Sequence, residues 1–115
     1  MMLLSDFLAK LNKQPKTIEF SDTMAVIETN YDFTETAFNN GQQSNAKGEN
    51  SGSCKIFSFA KLNTLSEAQT LACFGSYYRD DVLANPEAND HQNIRQFIVN
   101  GWAGINFDCA ALVSK

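Results

Sequence analysis

The sequence predicts an α+β fold: a single domain over residues 1–115 in which a small, mostly antiparallel sheet packs against about four helices. Its 115 residues are ordinary for one domain, and 43% of them are hydrophobic, enough to build a core. Apolar residues recur at helical spacing in some segments and alternate with polar residues in others. These segments follow in the order ααββααβ, in which elements of one kind are grouped as in α+β proteins.

Composition and charge exclude several functional classes. Nine basic and thirteen acidic residues give a net charge of -4, so the protein repels phosphate backbones and no nucleic-acid partner is expected. No apolar run approaches the ~18 residues of a membrane helix, so no membrane partner is expected either. The cysteines are odd in number and form no CxxC pair, which favours a reduced, cytoplasmic location. They and the single histidine match no metal spacing, and we expect no metal and no cofactor.

Two helices are predicted at the start of the chain. The first has an apolar stripe at i, i+3, i+4 and i+7, formed by Leu4, Phe7, Leu8 and Leu11. Pro15 should end this helix, because the residue before a proline is pushed out of the helical region. Ser21 or Asp22 can cap the second helix. Its inner face is expected to hold Met24, Ile27 and Tyr31.

Two strands and a long loop are predicted in the middle of the chain. Phe33–Phe38 is rich in threonine and phenylalanine and favours a strand. Residues 39–53 are mostly asparagine, glutamine, glycine and serine without periodicity, which predicts a mobile surface loop. Cys54–Leu62 is apolar on both faces of an extended chain, which favours a central strand.

A third helix is expected to follow the second strand. Thr64-x-x-Glu67 and Ser66-x-x-Gln69 are overlapping capping boxes, a pattern typical of a helix start. Gly75 then falls in the helix interior, where glycine costs about 1 kcal/mol relative to alanine. We expect a close packing contact at Gly75 to explain its presence.

The remaining elements are a fourth helix and a last strand. Asp80–Pro86 predicts a turn or a short helical segment. Asp90 is the expected N-cap of the fourth helix, and Gly101 is expected to close it. Ile105–Cys109 alternates apolar and polar residues, which predicts a strand with one solvated face.

The densest polar group lies between Tyr77 and Arg95 and includes the only histidine. His91 is expected on the inner face of the fourth helix, in its first turn, where the helix dipole favours a neutral imidazole. A neutral, half-buried imidazole can act as a general base if a carboxylate such as Asp90 orients it. In the structural alternative, His91 binds a backbone carbonyl at the core edge and Asp90 simply caps the helix.

A cysteine nucleophile is a second catalytic hypothesis. Lys55 can lower the pKa of the neighbouring Cys54 thiol, and His91 can serve as the base. The spacing does not show that Cys54 and His91 meet. The alternative is that Cys54 and Cys73 are small apolar residues of the core.

The two arginines and the single tryptophan favour a binding surface instead. Arg79 and Arg95 can form bidentate pairs with carboxylates or phosphates, one within the protein and the other on a partner. The internal candidates are Asp80, Asp81 and Asp108. Trp102 either presents its indole at the surface or closes the core over the last strand. Arginine and aromatic side chains are frequent anchors of interfaces.

Seven linked motifs extend over most of the chain, from about Phe20 to Phe107. In chain order they are YDFT (31–34), AFN (37–39), GSCKIF (52–57), LSEAQTLACFG (65–75), YYRDDVL (77–83), DHQNIR (90–95) and GWAGI (101–105). Together they resemble the HopJ type III effector family of bacteria. The resemblance implies a shared fold and delivery into plant cells by type III secretion. It implies no catalytic residue and no cofactor.

We therefore expect an effector-like protein without enzymatic activity that binds a protein or a small-molecule ligand. The expected binding residues are Tyr78, Arg79, His91, Arg95 and Trp102. The alternative is a small hydrolase or transferase that uses His91 with Asp90 or Cys54. We expect a cytoplasmic protein, with export by type III secretion into host cells as the alternative, and a monomer or weak homodimer.

Overall fold

The computed structural model describes residues 3–115 and confirms the α+β class. Its α-helices are α1 (Leu4–Lys13), α2 (Phe20–Asn30), α3 (Ser51–Leu62), α4 (Glu67–Ala72) and α5 (Gln92–Asn100). Its strands are β1 (Tyr31–Phe33), β2 (Phe38–Asn40), β3 (Gln43–Asn45), β4 (Ile105–Phe107) and β5 (Leu112–Ser114). Two 3-10 helices, Pro15–Thr17 and Gly101–Gly104, and a π-helix, Tyr77–Val82, complete the described elements.

The strands form two small antiparallel sheets rather than the one sheet that was predicted. β1 pairs with β5, and β2 lies between β3 and β4. The predicted strand Phe33–Phe38 is wrong over most of its length: β1 ends at Phe33, β2 begins at Phe38, and residues 34–37 between them form no strand. Each strand has three residues, so the helices provide most of the core.

The predicted strand Cys54–Leu62 is wrong, because this segment lies within helix α3. Its residues from Ile56 to Ala60 are all buried, as is Cys54. A run that is apolar on every side fits a buried helix as well as a central strand, and periodicity does not distinguish them. Helix α3 is therefore the central element of the core.

The prediction of a mobile loop over residues 39–53 is corrected by the hairpin β2–β3 and by the start of α3. Asn40 and Asn45 are buried, although the polar composition of residues 39–53 predicted an exposed segment. The side chain of Asn40 donates to the Asn93 carbonyl at 2.7 Å, and Asn93 Nδ2 donates to Asn45 Oδ1 at 3.0 Å. Buried carboxamides are stable when they hydrogen-bond to one another, so this polar segment packs against α5.

Helix α4 begins as predicted and ends earlier. Gln69 N donates to Ser66 Oγ at 3.1 Å and Ser66 N donates to Gln69 Oε1 at 3.0 Å, which confirms the second capping box. The helix ends at Ala72, so Gly75 lies beyond it, with a left-handed φ of +62°. The close packing expected at Gly75 is confirmed, because the backbone of Glu19 and Phe20 lies against it.

The start of α5 differs from the prediction. His91, not Asp90, occupies the N-cap position, and its φ of 51° is left-handed. The Asp90 side chain does not cap the helix; it accepts a hydrogen bond from Arg95. Gly101 ends the helix with a φ of +59°, as predicted.

Candidate functional site

A polar cleft of about 510 Å³ lies where α2, α3 and α5 all begin. The π-helix and β3 also contribute to it. Its aromatic lining residues are Phe20, Phe74 and Tyr77. Its carboxamide lining residues are Gln43, Asn50, Asn89, Gln92 and Asn93, and the rest of the lining is formed by Gly52, Ser53, His91 and Ile94.

His91 lies in this cleft beside the carboxylate of Asp81. His91 Nε2 is 3.1 Å from Asp81 Oδ2 and 3.9 Å from Asp90 Oδ2. The imidazole also packs against Tyr77, with 5.3 Å between ring centroids. The carboxylate beside His91 is thus that of Asp81, while the predicted partner Asp90 is farther away.

Two unusual backbone features occur at the cleft. Asn50 and His91 both have a φ of 51°, and the third non-glycine residue with positive φ among residues 3–115, Thr64, does not line the cleft. Tyr77 and Asp81 both belong to the π-helix. Left-handed non-glycine residues and π-helical turns are costly, and both concentrate at functional sites. Their coincidence favours this cleft as the functional site.

Asp90 and Arg95 form a structural pair outside the cleft. Arg95 Nη2 donates to Asp90 Oδ1 at 2.7 Å, and Nη1 donates to the Asn85 carbonyl at 2.9 Å. The hydrogen bond from Arg95 holds the pKa of the Asp90 carboxyl below its ordinary value. The pair fixes the segment before α5, which carries His91.

Arg79 is also bonded within the protein. Its guanidinium donates to the Ile18 carbonyl at 2.6 Å and to Glu19 Oε1 at 3.1 Å. The internal carboxylates of the two arginines are therefore Glu19 and Asp90, and not Asp80, Asp81 or Asp108. Neither arginine lines the cleft.

Tyr78 and Trp102 pack against the hydrophobic core and are half-buried. The Trp102 ring meets Phe97 edge to face at 5.2 Å, so the indole packs on a core residue of α5. Of the five expected binding residues, His91 alone lines the cleft.

Cys54 does not meet His91 in this structure. Its thiol is buried, and its polar neighbours are the Thr36 carbonyl at 4.0 Å and the Ser58 hydroxyl. Burial raises the pKa of the Cys54 thiol above its ordinary value, and burial raises the pKa of Cys73 to about 12. The thiolate is the nucleophilic form of cysteine, and burial disfavours it. Cys54 and Cys73 are therefore residues of the core rather than nucleophiles.

The thiols therefore differ in their expected reactivity. In the folded protein at neutral pH, iodoacetamide should alkylate Cys109, which is exposed, and leave Cys54 and Cys73 unmodified. Peptide mass mapping of the native and the denatured protein measures this, with all three thiols expected to react after unfolding. Rapid labelling of native Cys54 would contradict the assignment.

The sequence missed the aromatic and carboxamide lining of the cleft. Phe20, Asn50 and Asn93 are far apart in the chain, and no local pattern indicates that they meet. Tyr77 and Asn93 do lie within the dense polar group between Tyr77 and Arg95 and within the motifs YYRDDVL and DHQNIR, and these two signals pointed to them. Among residues 3–115, no three side chains of His, Cys, Asp or Glu are grouped as a metal site requires.

Comparisons with known proteins agree with the fold. The HopJ type III effector protein family matches residues 4–112. This chain is similar to the protein in the crystal structure of the unknown-function protein VPA0580: the two are 59% identical in sequence. The TM-score is 0.98, and the match covers 99% of this chain and 95% of that chain. No curated protein gives a significant match. Across residues 3–115, every helix is too short or too polar to cross a membrane. Because the family match extends over nearly the whole chain, this protein belongs to the HopJ type III effector protein family.

Proposed function

We propose that the protein is a binding module for a small, uncharged polar molecule, which it holds in the cleft beside His91. The observation that carries the proposal is the lining of this cleft, which combines an aromatic wall with several carboxamides. A concave site of about 510 Å³ is in the range of small-molecule pockets. A partner protein would require a broader and flatter surface.

The charge of the lining supports an uncharged ligand. Among the described residues that line the cleft there is no Lys, Arg, Asp or Glu, and His91 is the only titratable group other than Tyr77. Carboxamides both donate and accept hydrogen bonds, so they suit hydroxyl, amide and ring-nitrogen groups. The cleft therefore offers a phosphate or a carboxylate no fixed cation.

The aromatic wall supports a ligand with a flat or ring-shaped face. Phe20 and Tyr77 meet edge to face at 5.1 Å, and Tyr77 continues to the His91 ring. A carboxamide of the lining is held in place as well, since Asn50 Nδ2 donates to Asn45 Oδ1 at 2.7 Å. Prearranged groups of this kind reduce the entropy lost on binding.

The cellular compartment in which the protein binds its ligand is a separate proposal. Membership of the effector family supports delivery into a host cell by type III secretion. Function in the cytoplasm of the producing cell is the alternative. Binding in the cleft is compatible with both.

A small hydrolase or transferase is the second candidate, favoured by the 3.1 Å contact between His91 and Asp81. Both neighbouring carboxylates face Nε2, which leaves Nδ1 as the nitrogen that can take a proton from a substrate or a water molecule. Neither Cys54 nor Asp90 enters this arrangement in the role expected of it. The dyad would act as a general base without a protein nucleophile.

The test is a titration with neutral sugars, nucleosides and free nucleobases, followed by thermal shift and calorimetry. Tyr77→Ala should weaken binding of the compound that binds by about tenfold, since an aromatic contact contributes roughly 1 kcal/mol or slightly more. Tyr77→Phe keeps the ring and should bind as the wild type does. Leu83→Ala, exposed outside the cleft, is the second control.

The outcomes separate the two candidate functions. A bound compound that is recovered unchanged supports the binding module. Turnover by the wild type that is lost in His91→Asn, with binding retained, supports the enzyme. If nothing in the panel binds, or if Tyr77→Ala binds as tightly as the wild type, the proposed function fails.

A further inference from the structure

A second cleft, of about 620 Å³, lies between α3 and the segment that joins β4 to β5. Ser58, Lys61 and Leu62 of α3 form one side, and residues 107–112 form the other. None of these residues lines the first cleft. Leucine, alanine and phenylalanine dominate this lining, so it suits an apolar body rather than the polar ligand proposed above.

The hydroxyl of Ser58 is the unexplained polar group of this cleft. Ser58 is 7% exposed, and no hydrogen bond reaches its Oγ among residues 3–115. Its polar neighbour one turn earlier is the Cys54 thiol, which is only a weak hydrogen-bonding group. The Oγ atom itself is closed off from the cleft, so the Ser58 side chain has to turn toward the cleft before a ligand oxygen can accept from it. Because a buried hydroxyl without a partner is costly, a ligand oxygen that accepts from it there favours this turn.

Lys61 adds a second donor on the same face of α3. It follows Ser58 by three residues, so the two side chains are neighbours along the helix. Lys61 is absent from the ion pairs of the described residues, and its ammonium therefore lies beyond ion-pair distance of Asp108. A carboxylate can accept from the hydroxyl and the ammonium together, in charge-assisted hydrogen bonds that are stronger than neutral ones.

We propose that this second cleft binds a single-chain amphiphile with a carboxylate head, of the class of medium-chain fatty acids. The alkyl chain packs on Phe107, Ala111 and Leu112, and the carboxylate accepts from Ser58 and Lys61. Asp108 belongs to the opposite segment, so the anionic head lies on the α3 side of the cleft. Amphiphiles with a neutral or cationic head lack the charge that Lys61 selects.

Cys109 provides a built-in reporter, because it lines this cleft and is the exposed thiol. Decanoate, decanol and decylamine, each kept below the concentration at which it forms micelles, are added to the folded wild-type protein. Saturating decanoate should slow alkylation of Cys109 by iodoacetamide at least about tenfold, since a filled cleft shields the thiol. Decanol and decylamine should protect it weakly.

Variants then assign the two donors. Ser58→Ala and Lys61→Gln should each weaken decanoate binding by about tenfold, the loss expected for one hydrogen bond to a charged group. Lys16→Gln removes an exposed lysine that lines neither cleft and should bind as the wild type does. Far-UV circular dichroism should show that Ser58→Ala remains folded, as expected when an unpaired hydroxyl is removed.

Three results would overturn the proposal: unprotected Cys109 at saturating decanoate, equal protection by decanol, or unchanged decanoate affinity in both variants. All of them are independent of the first cleft, since Tyr77→Ala should leave decanoate binding intact.

Discussion

Replacing Phe57 by alanine is expected to lower the free energy of unfolding by about 3–5 kcal/mol. Phe57 is 0% exposed, and its ring meets Phe38, Phe74 and Phe97 at centroid distances of 6.2, 5.5 and 5.0 Å. These partners come from β2, from the segment after α4 and from α5, so one side chain joins three parts of the fold. Alanine removes the ring and leaves a cavity. Urea unfolding followed by circular dichroism measures the change.

Two further variants make the Phe57 experiment decisive. Ile98→Ala, at a site that is 46% exposed, should change the free energy of unfolding by no more than about 0.5 kcal/mol. Phe57→Leu keeps much of the volume and should cost about 1 kcal/mol; it supplies a graded value if Phe57→Ala does not fold. A loss below about 1 kcal/mol in Phe57→Ala would show that α3 is not the centre of the core.

The same residue explains which helices could be predicted. Helix α1 was found because its apolar residues have one periodic face, and α4 because the Ser66 capping box is a local signal. The segment around Phe57 has apolar residues on all sides, so its sequence carries no period. It is a helix because several elements pack around it, and such packing has no signature in nine consecutive residues.

The hairpin β2–β3 was missed for a related reason. Asn40, Asn45 and Asn93 are stable in the interior only because each binds another, across 48 and 53 residues of sequence. Taken singly, each asparagine favours a solvated loop. Burial of a polar group is decided by its partner, and these partners are distant in the chain.

The candidate site was predicted as a region and not as a geometry. The density of polar residues indicated the region 77–95, and His91 of that region does line the cleft. The assignment of Asp90 as its partner assumed a regular helix with His91 in the first turn. In the structure His91 has a left-handed backbone and Asp81 lies in a π-helix, and His91 is closer to Asp81 than to Asp90. Neither backbone feature is visible in the periodicity of the sequence.

Gly75→Ala is expected to lower the free energy of unfolding by about 2–5 kcal/mol, through two contributions. Alanine in the left-handed region costs about 1–2 kcal/mol, and Gly75 has a φ of +62°. A Cβ atom there would lie 2.6 Å from Phe20 N and 3.0 Å from Glu19 C, so backbone would have to move. Overpacking of this kind adds about 1–3 kcal/mol. Urea unfolding measures the sum.

Gly48→Ala is the matched control for Gly75, because it has the same backbone requirement without the close approach. Gly48 has a φ of +87°, but its nearest contact would be the flexible Glu35 carboxylate at 3.4 Å. It should cost only the conformational part, about 1–2 kcal/mol. The difference between the two variants thus measures the contact between Gly75 and the start of α2. Equal losses would mean that the backbone of Glu19 and Phe20 moves away from the added Cβ atom at no cost. The side of the cleft that Phe20 forms would then be mobile rather than fixed.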